Sequence, residues 1–269
     1  MTLVMGILNV TPDSFSDGGL FATPDAAVTQ GIALVNAGAD IVDVGGESTR
    51  PGADRVSLDE ELHRVLPVVE ALAAQGIRVS IDTMRSETAL AAVHAGASII
   101  NDVSGGLADE AMGAAVAGLD VDYICMHWRG HSAQMDAADT YGDVVAEVRD
   151  ELAARVAALT AAGVNRERIV LDPGLGFSKV GDSNWPLLAN VPAWSAGMRV
   201  LIGASRKRFL GSAIGRPQSI PSDREAATTA TTTLAVASGI WAVRVHDARA
   251  ARDAIAVVSA WHGAKQREG

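Results

Sequence analysis

Apolar runs that end on a polar residue, and then break into glycine, proline or loop residues, recur eight times along the chain. The runs are rich in Val, Ile and Leu, as strands buried on both faces of a parallel sheet are. Each break marks the carboxyl end of a predicted strand. The predicted strands are Leu3–Asn9, Ile41–Gly45, Val79–Asp82, Ile99–Asp102, Tyr123–His127, Ile169–Asp172, Val200–Ser205 and Trp241–His246.

The spacing of these runs predicts the fold. From Asn9 to His246 their ends are about 34 residues apart on average, and helical patterns fill the intervals. This rhythm matches a (β/α)8 TIM barrel, which usually needs roughly 250 residues. We therefore predict an α/β chain with one barrel domain over residues 1–269. Because such barrels carry their chemistry at the carboxyl ends of the strands, the polar residues that close the runs fall on the predicted active-site face.

Capping residues mark several of the helices. Thr23 precedes Pro24 and predicts a helix N-terminus, and capping boxes begin at Ser57 and at Ser222. Glycines follow most of the predicted ends, as is common for helices. The predicted helices are Ala26–Ala37, a segment from Ser57 to Gln75, Asp143–Ala162, Ala226–Ser238 and Asp247–Trp261.

Two connections are longer than the few residues that usually join a strand to a helix. They are Val10–Ala22 after the first strand and Glu47–Val56 after the second. Both lie on the predicted active-site face. Gly18-Gly19 and Pro51-Gly52 favour mobility, so we predict mobile loops that close over the site.

Composition narrows the class of protein. The chain has 269 residues, of which 48% are hydrophobic and 9 are proline, which favours one large soluble domain. A net charge of −10 argues against a general affinity for nucleic acid or anionic membranes. The single cysteine, Cys125, excludes a disulfide within the chain. No apolar stretch approaches the roughly 20 residues of a membrane span, and no signal peptide precedes the first strand. We expect a cytoplasmic enzyme.

Four cationic or donor-rich side chains form a candidate anion site. Arg50, Lys207, Arg244 and His246 follow three different strands, and together they suit a phosphate or pyrophosphate. Solvated surface positions explain Arg50 and Lys207 equally well. Arg244 and His246 alternate along one strand, so both point to the barrel interior.

Two carboxylates and an amide form a second candidate set. Asp82, Asn101 and Asp172 end the third, fourth and sixth strands. They suit a flat heterocycle with ring N–H and amino groups. A Mg²⁺ site and a structural ion-pair network are equally compatible with these residues.

Apolar side chains beside this set suit a flat ligand as well. Met126 and Phe177 are able to sandwich a ring, although each is more often ordinary core. Gly174 and Gly176 before Phe177 allow the backbone to approach a ligand, which favours the binding interpretation.

Ser205 and Asn9 complete the candidates. Ser205 is a natural N-cap, and the helix start behind it favours an anion such as a carboxylate. Asn9 is able to bind Mg²⁺ through its side-chain carbonyl, together with substrate oxygens. The chain has no nucleophile elbow, no Walker A motif and no zinc-spaced Cys/His cluster, so no covalent nucleophile is indicated.

Eight motifs in chain order resemble the dihydropteroate synthase family, and they extend over nearly the whole chain. The first two are long and specific to that family. The motifs are Met5–Gly19, Asp43–Gly52, Ser80–Thr83, Asn101–Gly106, Met126-His127, Asp172–Phe177, Ser205–Phe209 and Arg244–His246.

The resemblance implies a transferase that joins 6-hydroxymethyl-7,8-dihydropterin diphosphate to p-aminobenzoate, giving 7,8-dihydropteroate and pyrophosphate. It implies catalytic roles for Asp17, Asp82, Asp172 and Lys207. It also implies Mg²⁺ at Asn9, competition by sulfonamides, and a homodimer formed through the late helices. The implied pterin-binding residues are Asp82, Asn101, Val103, Met126, Asp172, Phe177, Gly203 and Lys207. The implied diphosphate-binding residues are Asn9, Arg50, Arg244 and His246, and those for p-aminobenzoate are Phe15, Thr49, Pro51, Ser205 and Lys207.

Two rival functions stay open. A methyltetrahydrofolate methyltransferase on the same barrel shares the Asp82, Asn101 and Asp172 set but does not need Arg50, Arg244 and His246. A non-catalytic homologue binds pterin without turnover.

Overall fold

The computed structural model describes residues 1–11, 23–47, 55–130, 139–179 and 181–265. Eight parallel strands in this part of the chain close into a barrel, each paired with its neighbours in sequence and the last with the first. The strands are β1 Leu3–Asn9, β2 Ile41–Gly45, β3 Val79–Asp82, β4 Ile99–Asp102, β5 Asp122–Met126, β6 Ile169–Asp172, β7 Arg199–Ile202 and β8 Ala242–Val245. The predicted (β/α)8 barrel is confirmed.

Helices surround the barrel, and short 3-10 turns lie at Arg166–Arg168, Gly181–Ser183 and Pro221–Arg224. Among the described residues the α-helices are α1 Pro24–Asn36, α2 Leu58–Ala73, α3 Ser86–His94, α4 Met112–Ala117, α5 Val144–Ala161, α6 Asn184–Ala189, α7 Val191–Ser195, α8 Arg208–Ala213, α9 Glu225–Ala237 and α10 Ala248–Lys265. None of the helices in the described ranges has the length and apolarity to cross a membrane.

Five strands have the predicted bounds, and three do not. β5 begins and ends one residue earlier than predicted, while β7 and β8 end before Ser205 and His246. At the end of β8 the backbone N–H of His246 donates to the Ser205 hydroxyl at 3.2 Å instead of to a neighbouring strand. A side-chain hydrogen bond therefore replaces the ladder directly after β8.

Of the caps predicted at Thr23, Ser57 and Ser222, the first two are confirmed and the third is wrong. The Thr23 hydroxyl accepts from Ala26 N–H at 3.3 Å, and the Ser57 hydroxyl accepts from Glu60 N–H at 3.2 Å. Ser222 instead lies within a 3-10 turn, and Arg224 holds the N-cap position of α9 without a side-chain cap. The Arg224 guanidinium donates to Arg206 O at 2.9 Å, and this tertiary contact sets the entry to the helix.

The barrel interior is divided into two layers. The lower layer is a buried apolar cluster separate from the core between strands and helices. Its members are Met5, Ile41, Ile99, Ile124, Val170, Leu201 and Ala242. Because alternate residues of a strand face the same side, the residues two positions further along face the interior above it. Five of those residues, together with Asp82 above Ser80 on β3, form a ring at the carboxyl end, which we call the polar ring although Met126 is one of its members: Asp43, Asp82, Asn101, Met126, Asp172 and Arg244.

Candidate active site

Arg244 lies at the centre of the polar ring. Its Nε donates to Asp43 Oδ2 at 2.6 Å, and its Nη2 donates to Asp82 Oδ2 at 2.7 Å. The Asn101 amide donates to the same Asp43 oxygen at 3.0 Å. The structure therefore joins Arg244 from the predicted anion set to Asp82 and Asn101 from the predicted heterocycle set.

Asp43 was not among the candidate residues of the sequence analysis. It is fully buried in the middle of β2, and its Oδ1 has no hydrogen-bond partner among the described residues. A buried carboxylate is costly unless it is paired, and Arg244 pairs it. The signal in the sequence was a charge inside an apolar strand, on the same face as Ile41.

Burial changes the protonation of this cluster. It raises the pKa of Asp82 to about 7, an effect that Arg244 opposes and the neighbouring Asp43 carboxylate strengthens. Burial alone lowers the pKa of Arg244, but the carboxylates of Asp43 and Asp82 more than offset this and raise the pKa above its usual value. The guanidinium therefore stays charged. The site thus offers a permanent cation beside a carboxyl group that titrates near neutral pH.

Asp172, Phe177 and Lys207 form the opposite side of the site. Asp172 Oδ1 accepts from Gly174 N–H at 2.7 Å, and the Lys207 ammonium lies 4.4 Å from the centroid of the Phe177 ring. Lys207 also donates to Leu175 O. Burial raises the pKa of Asp172, with Lys207 opposing it, and burial lowers the pKa of Lys207 to about 8.

Val103, Met126 and Gly203 lie at the same end of the barrel. Met126 is buried and lies beside Asp172 in the strand register. A Cβ on Gly203 would lie 3.8 Å from Asp172 Oδ2 and 3.9 Å from the Arg244 Cβ. Val103 is buried directly after β4. All eight residues predicted to bind pterin therefore lie at the carboxyl end of the barrel.

Ser205 does not cap a helix, which corrects the sequence prediction. Its hydroxyl pairs with His246 Nδ1 at 2.9 Å, and α8 begins at Arg208 with Lys207 as its N-cap residue. Arg206 has a φ of +60°, which turns the chain between Ser205 and Lys207. The predicted anion site at a Ser205-capped helix start is therefore absent, although Ser205 and His246 do lie together at the barrel mouth.

Asn9 is the last residue of β1 and lies beside Gly45, which in turn lies beside Asp82. Among the described residues, no three His, Cys, Asp or Glu side chains are grouped to hold a metal ion. Five candidate residues fall outside the described residues, as do most residues of the two long loops. They are Phe15, Asp17, Thr49, Arg50 and Pro51.

Arg85, which is not among the predicted site residues, joins the two flanks of the loop after β2. Its Nη1 donates to Glu47 Oε2 at 2.8 Å and also to Glu61. Its Nη2 donates to the backbone carbonyl of Val56. The flanks of the second long loop are therefore held by one guanidinium.

Comparison with known proteins agrees with this geometry. A family model described as pterin binding enzyme matches residues 5–246. The dihydropteroate synthase of Mycobacterium leprae is 54% identical over 274 residues, covering 98% of this chain and 95% of that protein. The solved structure of Xanthomonas albilineans dihydropteroate synthase with 4-aminobenzoic acid has a TM-score of 0.90 and 46% identity, covering 97% of this chain and 93% of that one. The same enzyme in complex with 7,8-dihydropteroate has a TM-score of 0.87 and 42% identity, covering 97% and 94%.

Proposed function

Because this chain belongs to the pterin-binding enzymes and, within them, to the dihydropteroate synthases, we propose that it works through the cluster around Arg244. The enzyme is a transferase of folate biosynthesis. It joins 6-hydroxymethyl-7,8-dihydropterin diphosphate to p-aminobenzoate and releases 7,8-dihydropteroate and pyrophosphate. The observation that carries the proposal is the buried pairing of Arg244 with Asp43 and Asp82 at the barrel mouth.

The polar ring provides the groups that a pterin needs. Asp82 and Asp172 accept hydrogen bonds from ring N–H and amino groups, and Asn101 both donates and accepts. Met126 and Phe177 pack against the two faces of the flat ring. Val103 and Gly203 line the remaining wall. Lys207 binds the pterin and reaches the p-aminobenzoate side as well.

The diphosphate lies with Asn9, Arg50, Arg244 and His246 in this proposal. A guanidinium has five N–H donors, more than the two contacts of Arg244 to Asp43 and Asp82 use. p-Aminobenzoate lies with Phe15, Thr49, Pro51, Ser205 and Lys207, and sulfonamides compete for the same place. Pairing of Ser205 with His246 keeps the two binding regions adjacent.

The chemistry follows from where charge develops. Breaking the C–O bond to the diphosphate leaves a cation delocalised into the pterin, and the carboxylates of Asp82, Asp172 and Asp17 stabilise it. The arylamine then attacks without a strong base, while closed loops keep water away. An Asp17→Asn variant that kept full turnover would exclude Asp17 from this role.

We propose Mg²⁺ as the cofactor, with Asn9 as its protein ligand. A single amide oxygen beside substrate phosphates suits Mg²⁺, which keeps several waters and binds with few protein ligands. That fits a described site in which no three acidic or imidazole groups converge. When bound, the ion neutralises charge on the leaving diphosphate. Isothermal titration of pyrophosphate into the wild type and into Asn9→Ala, each with and without Mg²⁺, tests this. If Mg²⁺ strengthens pyrophosphate binding equally in the two proteins, the proposal is contradicted.

We propose a homodimer through α9 and α10. Leu234 on α9 is 69% exposed, and Val257 and Trp261 on α10 are 63% and 65% exposed. An apolar patch of this kind on adjacent helices marks an interaction surface. Sedimentation of the wild type should give twice the monomer mass, and a Val257→Asp variant should give the monomer. A monomeric wild type would contradict the proposal.

We propose a cytoplasmic location and small molecules as the only substrates, with neither nucleic acid nor a membrane as a partner. The lone Cys125 is buried, in keeping with a reducing compartment. The net charge of −10 disfavours polyanions. Cell fractionation that placed the protein with membranes would contradict this.

One incubation tests the reaction. Purified protein receives the dihydropterin diphosphate and Mg²⁺, with and without p-aminobenzoate, while pyrophosphate and dihydropteroate are followed. Pyrophosphate release that depends on p-aminobenzoate and yields dihydropteroate is the expected result. Pterin binding without product would favour the non-catalytic alternative instead.

A further inference from the structure

Lys179 has a buried amino group that the reaction scheme does not use, and burial lowers its pKa to about 7. Its side chain lies in the loop after β6, and the residue is only 3% exposed. In its charged form this group donates to three acceptors among the described residues: His127 Nδ1 at 2.9 Å, Gly174 O at 3.2 Å and Phe177 O at 3.1 Å. It also lies 5.9 Å from the centroid of the Tyr141 ring. Since an ammonium has three N–H donors, each one has an acceptor.

His127 connects this ammonium to the loop after β5. Its Nε2 lies 2.9 Å from Glu151 Oε2, and a carboxylate only accepts, so Nε2 carries the hydrogen and Nδ1 accepts from Lys179. The hydrogen bond from His127 is the main cause that lowers the pKa of Glu151 to about 2. Burial lowers the pKa of His127 to about 4, which keeps the imidazole neutral.

The loops after β5 and β6 are in contact beside Lys179. Gly174 has a φ of +66°, and a Cβ there would lie 2.4 Å from the His127 carbonyl oxygen, so only glycine fits this contact. Ser178 has a φ of +50°, a conformation that non-glycine residues rarely adopt and that persists only where the surroundings hold it. That turn directs Lys179 back onto the carbonyls of its own loop.

We propose that Lys179 is a positioning residue for pterin binding, acting through Gly174, Phe177 and His127. The segment that it holds carries Asp172, Phe177 and the Leu175 carbonyl that receives Lys207. Lys179 fastens this segment to the loop after β5 and so sets the depth and tilt of the pterin site. This inference rests on the proposed pterin site, and it adds a residue that does not touch the substrate.

The test compares Lys179→Met with the wild type by steady-state kinetics and by equilibrium binding of a pterin. Methionine keeps the length of the side chain and removes all three donors. We expect the KM for the dihydropterin diphosphate to rise about tenfold, as the loss of roughly 1.4 kcal/mol of binding implies. The KM for p-aminobenzoate should rise by less than the KM for the dihydropterin diphosphate, and kcat should stay within about threefold, because the Lys179 side chain touches none of the reacting groups.

Two His127 variants distinguish the loss of the Lys179–His127 hydrogen bond from a general loss of stability. His127→Asn places an amide oxygen near the Nδ1 position and keeps the acceptor for Lys179, whereas His127→Gln keeps the contact to Glu151 and loses that acceptor. We expect the glutamine variant to raise the pterin KM as Lys179→Met does, and the asparagine variant to keep it near the wild-type value. The two variants keep the proposal testable even if Lys179→Met fails to fold.

Arg252→Met is the matched control. Arg252 donates to Gly38 O at 2.6 Å and to Asp40 at 2.7 Å, which is a similar tie at the opposite end of the barrel. It should lower thermal stability without changing either KM. If Lys179→Met and His127→Gln leave the pterin KM unchanged, or change it no more than Arg252→Met, the inference is wrong. A wild type that binds no pterin would instead refute the proposed function.

Discussion

The two ends of the barrel carry ion clusters of opposite design. At the carboxyl end one cation, Arg244, lies between the carboxylates of Asp43 and Asp82. At the amino end one carboxylate, Asp122, lies between the guanidinium groups of Arg78 and Arg199, at 3.0 Å and 2.8 Å.

The difference lies in burial. The side chains of Arg78 and Arg199 are 39% and 32% exposed, and both also lie over the Trp241 ring. The carboxylate of Asp122 is 12% exposed. At the carboxyl end Arg244 is 20% exposed, and Asp43 and Asp82 are 0% and 6% exposed, so each kind of group is more buried there. Exposed pairs contribute roughly 0–1 kcal/mol, whereas a buried pair has a desolvation cost that its own attraction does not reliably offset. A small gain in stability is enough to explain the amino-end ion pairs. The carboxyl-end ion pairs do not reliably add stability, so we attribute them to function.

The strongest way to break the comparison is Arg244→Met. It leaves two buried carboxylates without a cation, so we expect unfolding to become easier by about 3 kcal/mol. We also expect kcat/KM to fall about a thousandfold, about 4 kcal/mol of transition-state stabilisation. Urea titration and steady-state kinetics measure the two effects. Loss of stability with full activity would reduce the cluster to a structural ion pair.

A milder change is Asp43→Asn. The amide keeps the shape of the carboxyl group but removes one of the two charges that hold Arg244. We expect kcat/KM to fall about tenfold, or roughly 1.4 kcal/mol, with the fold intact by circular dichroism. Asp40→Asn serves as the control, because Asp40 pairs with Arg252 at the amino end. Equal activity in the two variants would show that Asp43 has no part in the site.

The pH dependence of stability sharpens the comparison further. Burial raises the pKa of Asp82 from 3.8 to about 7. Between these values the folded state holds a proton that the unfolded state has released, so this group stabilises at low pH and loses that contribution as pH rises. Relative to Asp82→Asn, the free energy of unfolding of the wild type should fall as the pH rises from 3.8 to about 7. Parallel curves in urea titrations would contradict the raised pKa.

The smallest effect is expected from Asp122→Asn. Both arginine partners stay hydrated, so the free energy of unfolding should fall by less than about 1 kcal/mol, and kcat/KM should not change. Thermal and urea unfolding in low and high salt check this, because screening should remove most of the difference. A larger loss that persists in high salt would mean that the amino-end cluster behaves as buried.

The two layers of the interior show what periodicity is able to predict. Alternation along Val79–Asp82 correctly directed Asp82 inward, because parity depends only on counting residues within a strand. The same rule applied to Ile41–Gly45 would have found Asp43. Asp43 was not predicted because it lies in the middle of its strand, whereas the predicted carboxylates close theirs.

The turn after β7 shows why the start of the following helix was not predictable from the sequence. Ser205 has the sequence of a helix cap, but Arg206 adopts its positive φ under contacts from far along the chain. Its N–H donates to the Thr228 hydroxyl at 3.0 Å, and its Nε donates to Glu225 at 2.6 Å. Local propensity does not report contacts with a helix some twenty residues away, so it placed the helix start wrongly.

The apolar layer beneath the polar ring has a kinetic consequence. Met5, Ile41 and the five side chains packed with them fill the barrel interior at its amino end. The candidate active site therefore opens only at the carboxyl end. A ligand that binds at the bottom of such a site has to bind before the ligands above it and leaves after them. In the site that we propose, the pterin lies directly above this layer, so p-aminobenzoate binds after it and nearer the opening, and dihydropteroate leaves through the same opening.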